Sequence, residues 1–222
     1  MYVRFAFNAV AGGGVPTPFA SVHQRIIALN RLLGGVLGEV NVNVDIVDLE
    51  SRHGDRVRQV VEIVGTVFPD WLDTPEAVLA EVEESFAPGR ISLVAVDGER
   101  VLGWIGGIPT YSHAWELHPL AVRREAQGRG VGRALVAALE ARVRERGALT
   151  LYLGTDDDGP TPGTSAGGID LWPDPLAHAS ALTVFDHPTG FYQTLGYVVV
   201  GLIPDADGPG KPDVLMAKRL AP

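Results

Sequence analysis

The 222-residue chain contains no cysteine. Disulfides, thiolate metal sites and cysteine nucleophiles are therefore excluded, and the absence fits a cytoplasmic protein. Long apolar runs are missing as well. Hydrophobic residues make up 46% of the chain, yet no stretch approaches the roughly 18 uninterrupted apolar residues of a membrane-spanning helix. Positive charge is scarce: 18 Lys and Arg face 27 Asp and Glu, for a net charge of −9. That balance argues against nucleic acid or a membrane surface as partner and favours a cationic small molecule. No Gly-Lys-Ser/Thr is present, so a nucleotide P-loop is excluded. No internal repeat is visible.

What is present suits one domain with an extension. Met1–Ala11 is apolar with a single Arg4, and Gly12-Gly13-Gly14 follows. Asn8 interrupts the run, which makes a poorly formed signal peptide. Residues 1–39 read as an N-terminal extension, either disordered or an overextended start, and the folded domain is expected over 40–222. Val40–Leu49 alternates as a first strand, and Arg52–Thr66 carries valines at helical spacing. Thr74-Pro75 starts a second helix, as N-cap and first helical residue, and it runs to about Phe86. Asp97-Gly98 turns a hairpin between Ile91–Val96 and Val101–Ile108. A strand over Ala114–Val122, a helix over Ala134–Arg146 and a strand over Leu149–Leu153 follow. Beyond the loop Gly154–Pro175, helices are expected at Leu176–Phe185 and Pro188–Leu195. The last strands are Tyr197–Ile203 and Val214–Lys218. This order predicts a mixed α/β sheet with helices on both faces.

Chemistry concentrates in Trp115–Arg133. Strand alternation would put Glu116, His118 and Leu120 on one face. Pro119 has no N–H, so the ladder is interrupted beside Leu120 and main-chain groups are freed. The turn Gln127-Gly128-Arg129-Gly130-Val131-Gly132-Arg133 opens a helix whose unpaired N–H groups suit an anion. The glycines do not match a dinucleotide fingerprint, because Arg133 stands where the third would fall. Residues 123–146 hold seven arginines against three glutamates, whereas 154–175 holds five aspartates and no Lys or Arg. One segment suits a polyanion and the other a polycation. Adjacent aspartates could also hold calcium, but the run lacks the alternate spacing and terminal Glu of an EF-hand, so no metal is expected.

The string Gln-x-x-Gly-x-Gly after a strand ending Ala121-Val122 closely resembles the acetyl-CoA loop of the GNAT acetyltransferase superfamily. Within it the chain is similar to the aminoglycoside 6′-N-acetyltransferase branch. The matching stretches include Trp115–Leu120, Tyr152–Asp157, Asp170-Leu171, His187-Pro188 and Phe191-Tyr192. Gly196-Tyr197, Pro204-Asp205-Ala206, Lys211-Pro212-Asp213 and Met216-Ala217-Lys218 continue the match. The likeness fades before Val40, and the loop Asp158–Gly168 is longer than the branch pattern.

The resemblance implies a GNAT fold: a mostly antiparallel sheet, splayed at the central strand, with helices on both faces. It implies acetyl-CoA as donor, its pantetheine added as a pseudo-strand beside Leu120, Ala121 and Val122. The Leu120 N–H would face the acetyl carbonyl, and Gln127 to Arg133 would cradle the pyrophosphate. Glu116 would be the base or an ammonium anchor; His118 is a second candidate base or a structural histidine. Tyr192 would protonate the departing thiolate and also lie along the donor. Trp71, Glu116, His118, Asp157, Asp158 and Asp170 would receive an aminoglycoside. The rival readings are another amine acceptor (a polyamine, metabolite or peptide) and a non-catalytic acyl-CoA-binding module. The branch implies a homodimer.

Overall fold

The computed structural model describes residues 44–69, 74–159 and 161–220. The extension over 1–39 and Trp71 lie outside the described residues. The elements are β1 (Asp45–Asp48), α1 (Gly54–Val67), α2 (Pro75–Glu84), β2 (Ile91–Asp97), β3 (Arg100–Pro109) and β4 (Ala114–Val122). Then come α3 (Val131–Glu145), β5 (Thr150–Asp156), α4 (Pro175–Ser180), α5 (Pro188–Thr194), β6 (Val198–Ile203) and β7 (Asp213–Arg219). The strands form one sheet in the order β1-β2-β3-β4-β5-β7-β6. Only the β4–β5 pairing is parallel.

Two cores sandwich the sheet. On one face the valine stripe of α1 (Val57, Val60, Val64, Val67, with Ile63) joins Val78 and Val82 of α2 over Val94, Val96, Trp104 and Ala121. On the other, Leu135, Val136, Leu139 and Val143 of α3 cover Leu93, Ile105, Leu117 and Leu151. Each such side chain contributes about 1.5–3 kcal/mol when fully buried, so the stripe is what holds α3 in place. Local signals agree: the Thr74 hydroxyl accepts from Ala77 N at 3.1 Å with Pro75 behind it, and Gly98 turns the β2–β3 hairpin at φ +58°.

Two helix boundaries differ from expectation. α3 begins at Val131 rather than Ala134, capped by Gly130 in the left-handed conformation. α4 stops at Ser180 instead of reaching Phe185, because the acidic loop takes over the backbone beyond it. Ser165 N donates to Thr183 O, Phe185 N donates to Gly163 O, and Thr164 bridges to Val184.

The feature that positions the site is a fork in the sheet. β4 pairs with β5 only at Ala114–Thr150, Trp115–Leu151 and Glu116–Tyr152. Beyond that point β5 stays with β7 as far as Asp156, while β4 stays with β3 as far as Val122. A gap opens between the two central strands.

Candidate active site

β4 carries a bulge at its centre. Leu120 pairs with Ile105 and Leu117 with Gly107, so His118 and Pro119 together oppose Gly106. The extra residue shifts the alternation by one position. Leu120 therefore lies with Trp115, Leu117 and Val122 on the α3 face. His118 points to the opposite face, where its Nε2 meets Glu81 Oε1 of α2 at 3.1 Å. The expectation that Glu116, His118 and Leu120 share a face is thus corrected. Only glycine is compatible with position 106, since a Cβ there would overlap the His118 carbonyl oxygen.

Main-chain direction follows from the same register. Arg123 N donates to Leu102 O at 2.8 Å. In an antiparallel ladder alternate residues turn toward the partner strand, so Arg123 and Ala121 address β3. Leu120 and Val122 then turn their N–H and C=O groups away from β3, into the gap. Gln127 Nε2 donates to the Val122 carbonyl at 3.0 Å and pins the following turn against the strand.

That turn ends on α3 with no side-chain cap. Gly128 and Gly130 adopt φ of +71° and +88°, conformations that side chains with a Cβ resist. Nothing lies within 4 Å of a Cβ built at either, so the space outside them is open. Arg129 and Arg133 are exposed at this end, and no acidic residue occupies the first turn of α3. A Cβ built at Gly132 would lie 3.3 Å from the ring of Phe191 and 3.7 Å from Val122, so α5 stands close over the same end of the gap. Tyr192 follows Phe191, fully buried and edge-on to it and to Tyr197. Burial pushes the Tyr192 phenol well above its ordinary pKa of 10, so it remains protonated.

Glu116 sits where β4 and β5 part, 9% exposed, and accepts from the Tyr152 hydroxyl at 3.3 Å. Burial raises the Tyr152 pKa; a hydrogen bond with Thr110 opposes the rise and the charge of Glu116 adds to it. His187, in the N-cap position of α5, lies 2.9 Å from the Asp156 carbonyl through Nε2 and 2.8 Å from Thr189 Oγ1 through Nδ1. Burial lowers its pKa, so the neutral ring binds the acidic loop to α5.

The acidic loop divides its aspartates between different tasks. Asp157 is buried and accepts from Gly163 N, Thr164 N and Thr164 Oγ1 at 2.7–2.9 Å. Both its oxygens hold the loop together. Asp158 is half-buried. Asp170 is exposed, accepts from Trp172 N, and with Trp172 and Asp205 lines an open groove of about 660 Å³. Trp115 lies in the core beneath the Arg146 guanidinium, 5.3 Å from its ring centroid. Among the described residues no group of His, Asp and Glu is arranged to hold a metal ion.

One candidate carries no role in the sequence reading. Asp213 opens β7 opposite Asp156 and is only 3% exposed. Burial lifts its pKa to about 6 against a backbone hydrogen bond from Thr155, and the nearby charges of Asp207 and Glu116 add to the rise. The visible signal was an aspartate placed directly before the apolar run Val214-Leu215-Met216.

The Acetyltransferase (GNAT) family profile matches residues 57–161. A crystal structure of an aminoglycoside 6′-N-acetyltransferase complexed with coenzyme A is 36% identical. It aligns over 80% of this chain and 98% of its own, with a TM-score of 0.75. The aminoglycoside 6′-N-acetyltransferase from Enterococcus faecium is 35% identical over 80% and 98% of the two chains, with a TM-score of 0.73. Among proteins of curated function, no sequence matches. At this identity over nearly the full length of its relatives, with the forked sheet and glycine turn in place, the chain belongs to the GNAT acetyltransferase family.

Proposed function

We propose that the protein transfers an acetyl group from acetyl-CoA to the 6′-amine of an aminoglycoside by direct attack of the amine. The observation that carries this reading is the gap between β4 and β5. It presents the main-chain groups of Leu120 and Val122 at one end of a cleft that continues to the start of α3, where no side chain caps the helix. An extended amide chain fits such a gap as an added strand, and a pyrophosphate fits the turn from Gln127 to Arg133.

The donor supplies an activated acyl carbon. Leu120 N–H donates to the carbonyl oxygen as charge develops there, a role worth about 3–4 kcal/mol in comparable sites. The glycine turn mainly positions the donor, since charge interactions at a helix end are worth roughly 0.3–1 kcal/mol each. Glu116, at the fork, takes the proton of the attacking ammonium through water. As the N–C bond forms and the C–S bond breaks, the Tyr192 hydroxyl donates its proton to the departing sulfur. His118 is held by Glu81 and serves as a structural residue. Asp158 and Asp170 receive the remaining positive charges of the acceptor, and Trp71 is a candidate to stack on it. The folded domain extends over 40–222, and a cytoplasmic homodimer fits the branch.

Incubating the protein with acetyl-CoA and kanamycin and following free thiol tests the reading. Turnover is expected with aminoglycosides bearing a 6′-amine. Turnover confined to polyamines or peptide amines would move the acceptor to another class, and donor binding without thiol release would leave a binding module.

A further inference from the structure

The sheet face opposite α3 carries an aligned set of positions: Glu116 on β4, Tyr152 and Gly154 on β5, and Asp213 on β7. Gly154 has no side chain, and the Asp213 carboxylate occupies the space above it. A Cβ at 154 would lie 2.8 Å from Asp213 Oδ1 and would overlap the other oxygen. The carboxylate therefore leans from β7 over β5, toward the gap where β4 has parted. It is 3% exposed, and among the described residues Oδ1 has no hydrogen-bond partner. No described cation forms an ion pair with either Asp213 or Glu116.

A buried carboxylate without a counter-charge is costly. Among the described residues, backbone support from Thr155 and repulsion from Asp207 and Glu116 leave it short of one strong donor. Strand geometry puts the Gly154 position and the Glu116 position roughly 8 Å apart, two residues along and one strand across. That spacing suits two ammonium groups of one acceptor.

We propose that Asp213 is an acceptor-binding residue that takes a second ammonium group of a polyamine-bearing acceptor, while Glu116 addresses the amine to be acetylated. The assignment deepens the proposed function and rests on it for the identity of the reaction. It makes the enzyme selective for acceptors with at least two positive charges. The absence of a side chain at Gly154 is part of the same site.

The test is steady-state thiol release with kanamycin for the wild type, Asp213→Asn and Gly154→Ala. In Asp213→Asn the KM for kanamycin is expected to rise roughly 10- to 100-fold, as for loss of a buried charge partner. The kcat should stay within about threefold and the KM for acetyl-CoA should not move. Gly154→Ala, which pushes the carboxylate off β5, should raise the kanamycin KM in the same direction. An unchanged kanamycin KM in Asp213→Asn, a fall in kcat alone, or an equal rise in both KM values overturns the assignment. If the wild type releases no thiol with kanamycin, the aminoglycoside reading fails by itself. Calorimetric titration with spermine then decides Asp213. Binding about tenfold weaker in Asp213→Asn supports it, and equal affinity, or none in either protein, overturns it.

Discussion

At the scale of single residues, Glu116 and Tyr192 are asked for opposite proton transfers. Glu116→Gln removes the proton acceptor while keeping the shape, so kcat is expected to fall by about 10²–10⁴-fold. A rise in KM at constant kcat would make the residue an anchor instead. Tyr192→Phe keeps the ring against Phe191 and Tyr197. Thiol release should drop by about 10²-fold with little change in donor affinity. Asp213 makes a prediction about stability. Its folded pKa of about 6 lies above the ordinary aspartate value of 3.8, so folding favours the neutral acid. The contribution of this group is full below pH 4 and is lost as pH rises through 6. Urea unfolding of Asp213→Asn should therefore show a gain over wild type at pH 8, at most about 3 kcal/mol, that shrinks toward pH 4.

At the scale of elements, the bulge in β4 decides which groups face the gap. Gly106→Ala would force a methyl into the His118 carbonyl and should cost about 1–3 kcal/mol, measured by denaturation. Gly130→Ala must hold a left-handed conformation, at about 1–2 kcal/mol, and should raise the KM for acetyl-CoA more than that for the acceptor. The elements themselves were legible wherever the signal is local: the valine stripe of α1, the Thr74-Pro75 start of α2, the Asp97-Gly98 turn and the glycine entry to α3. The bulge was not, because it depends on pairing with Gly106 across the sheet. The end of α4 was hidden for the same reason, since residues 163–165 capture the backbone that would have continued it. Counting aspartates could not separate Asp157, spent on its own loop, from Asp213, which is placed by the emptiness of Gly154.

At the scale of the whole molecule, the charge of −9 should attract a polycationic acceptor over distances beyond contact. Raising the salt from low to about 0.5 M shortens the screening length to a few ångströms, so the KM for kanamycin should increase several-fold. No helix among the described residues is long and apolar enough to cross a membrane. The fork also bears on how long the protein survives. With β4 and β5 apart, two interior strands each lack a neighbour over part of their length, and a donor lying there completes the sheet. A ligand at 100 times its dissociation constant adds about 2.7 kcal/mol to the folded state. Limited proteolysis should accordingly cut the empty enzyme faster than the loaded one, and a cell short of acetyl-CoA would lose the enzyme by degradation as well as lose its turnover.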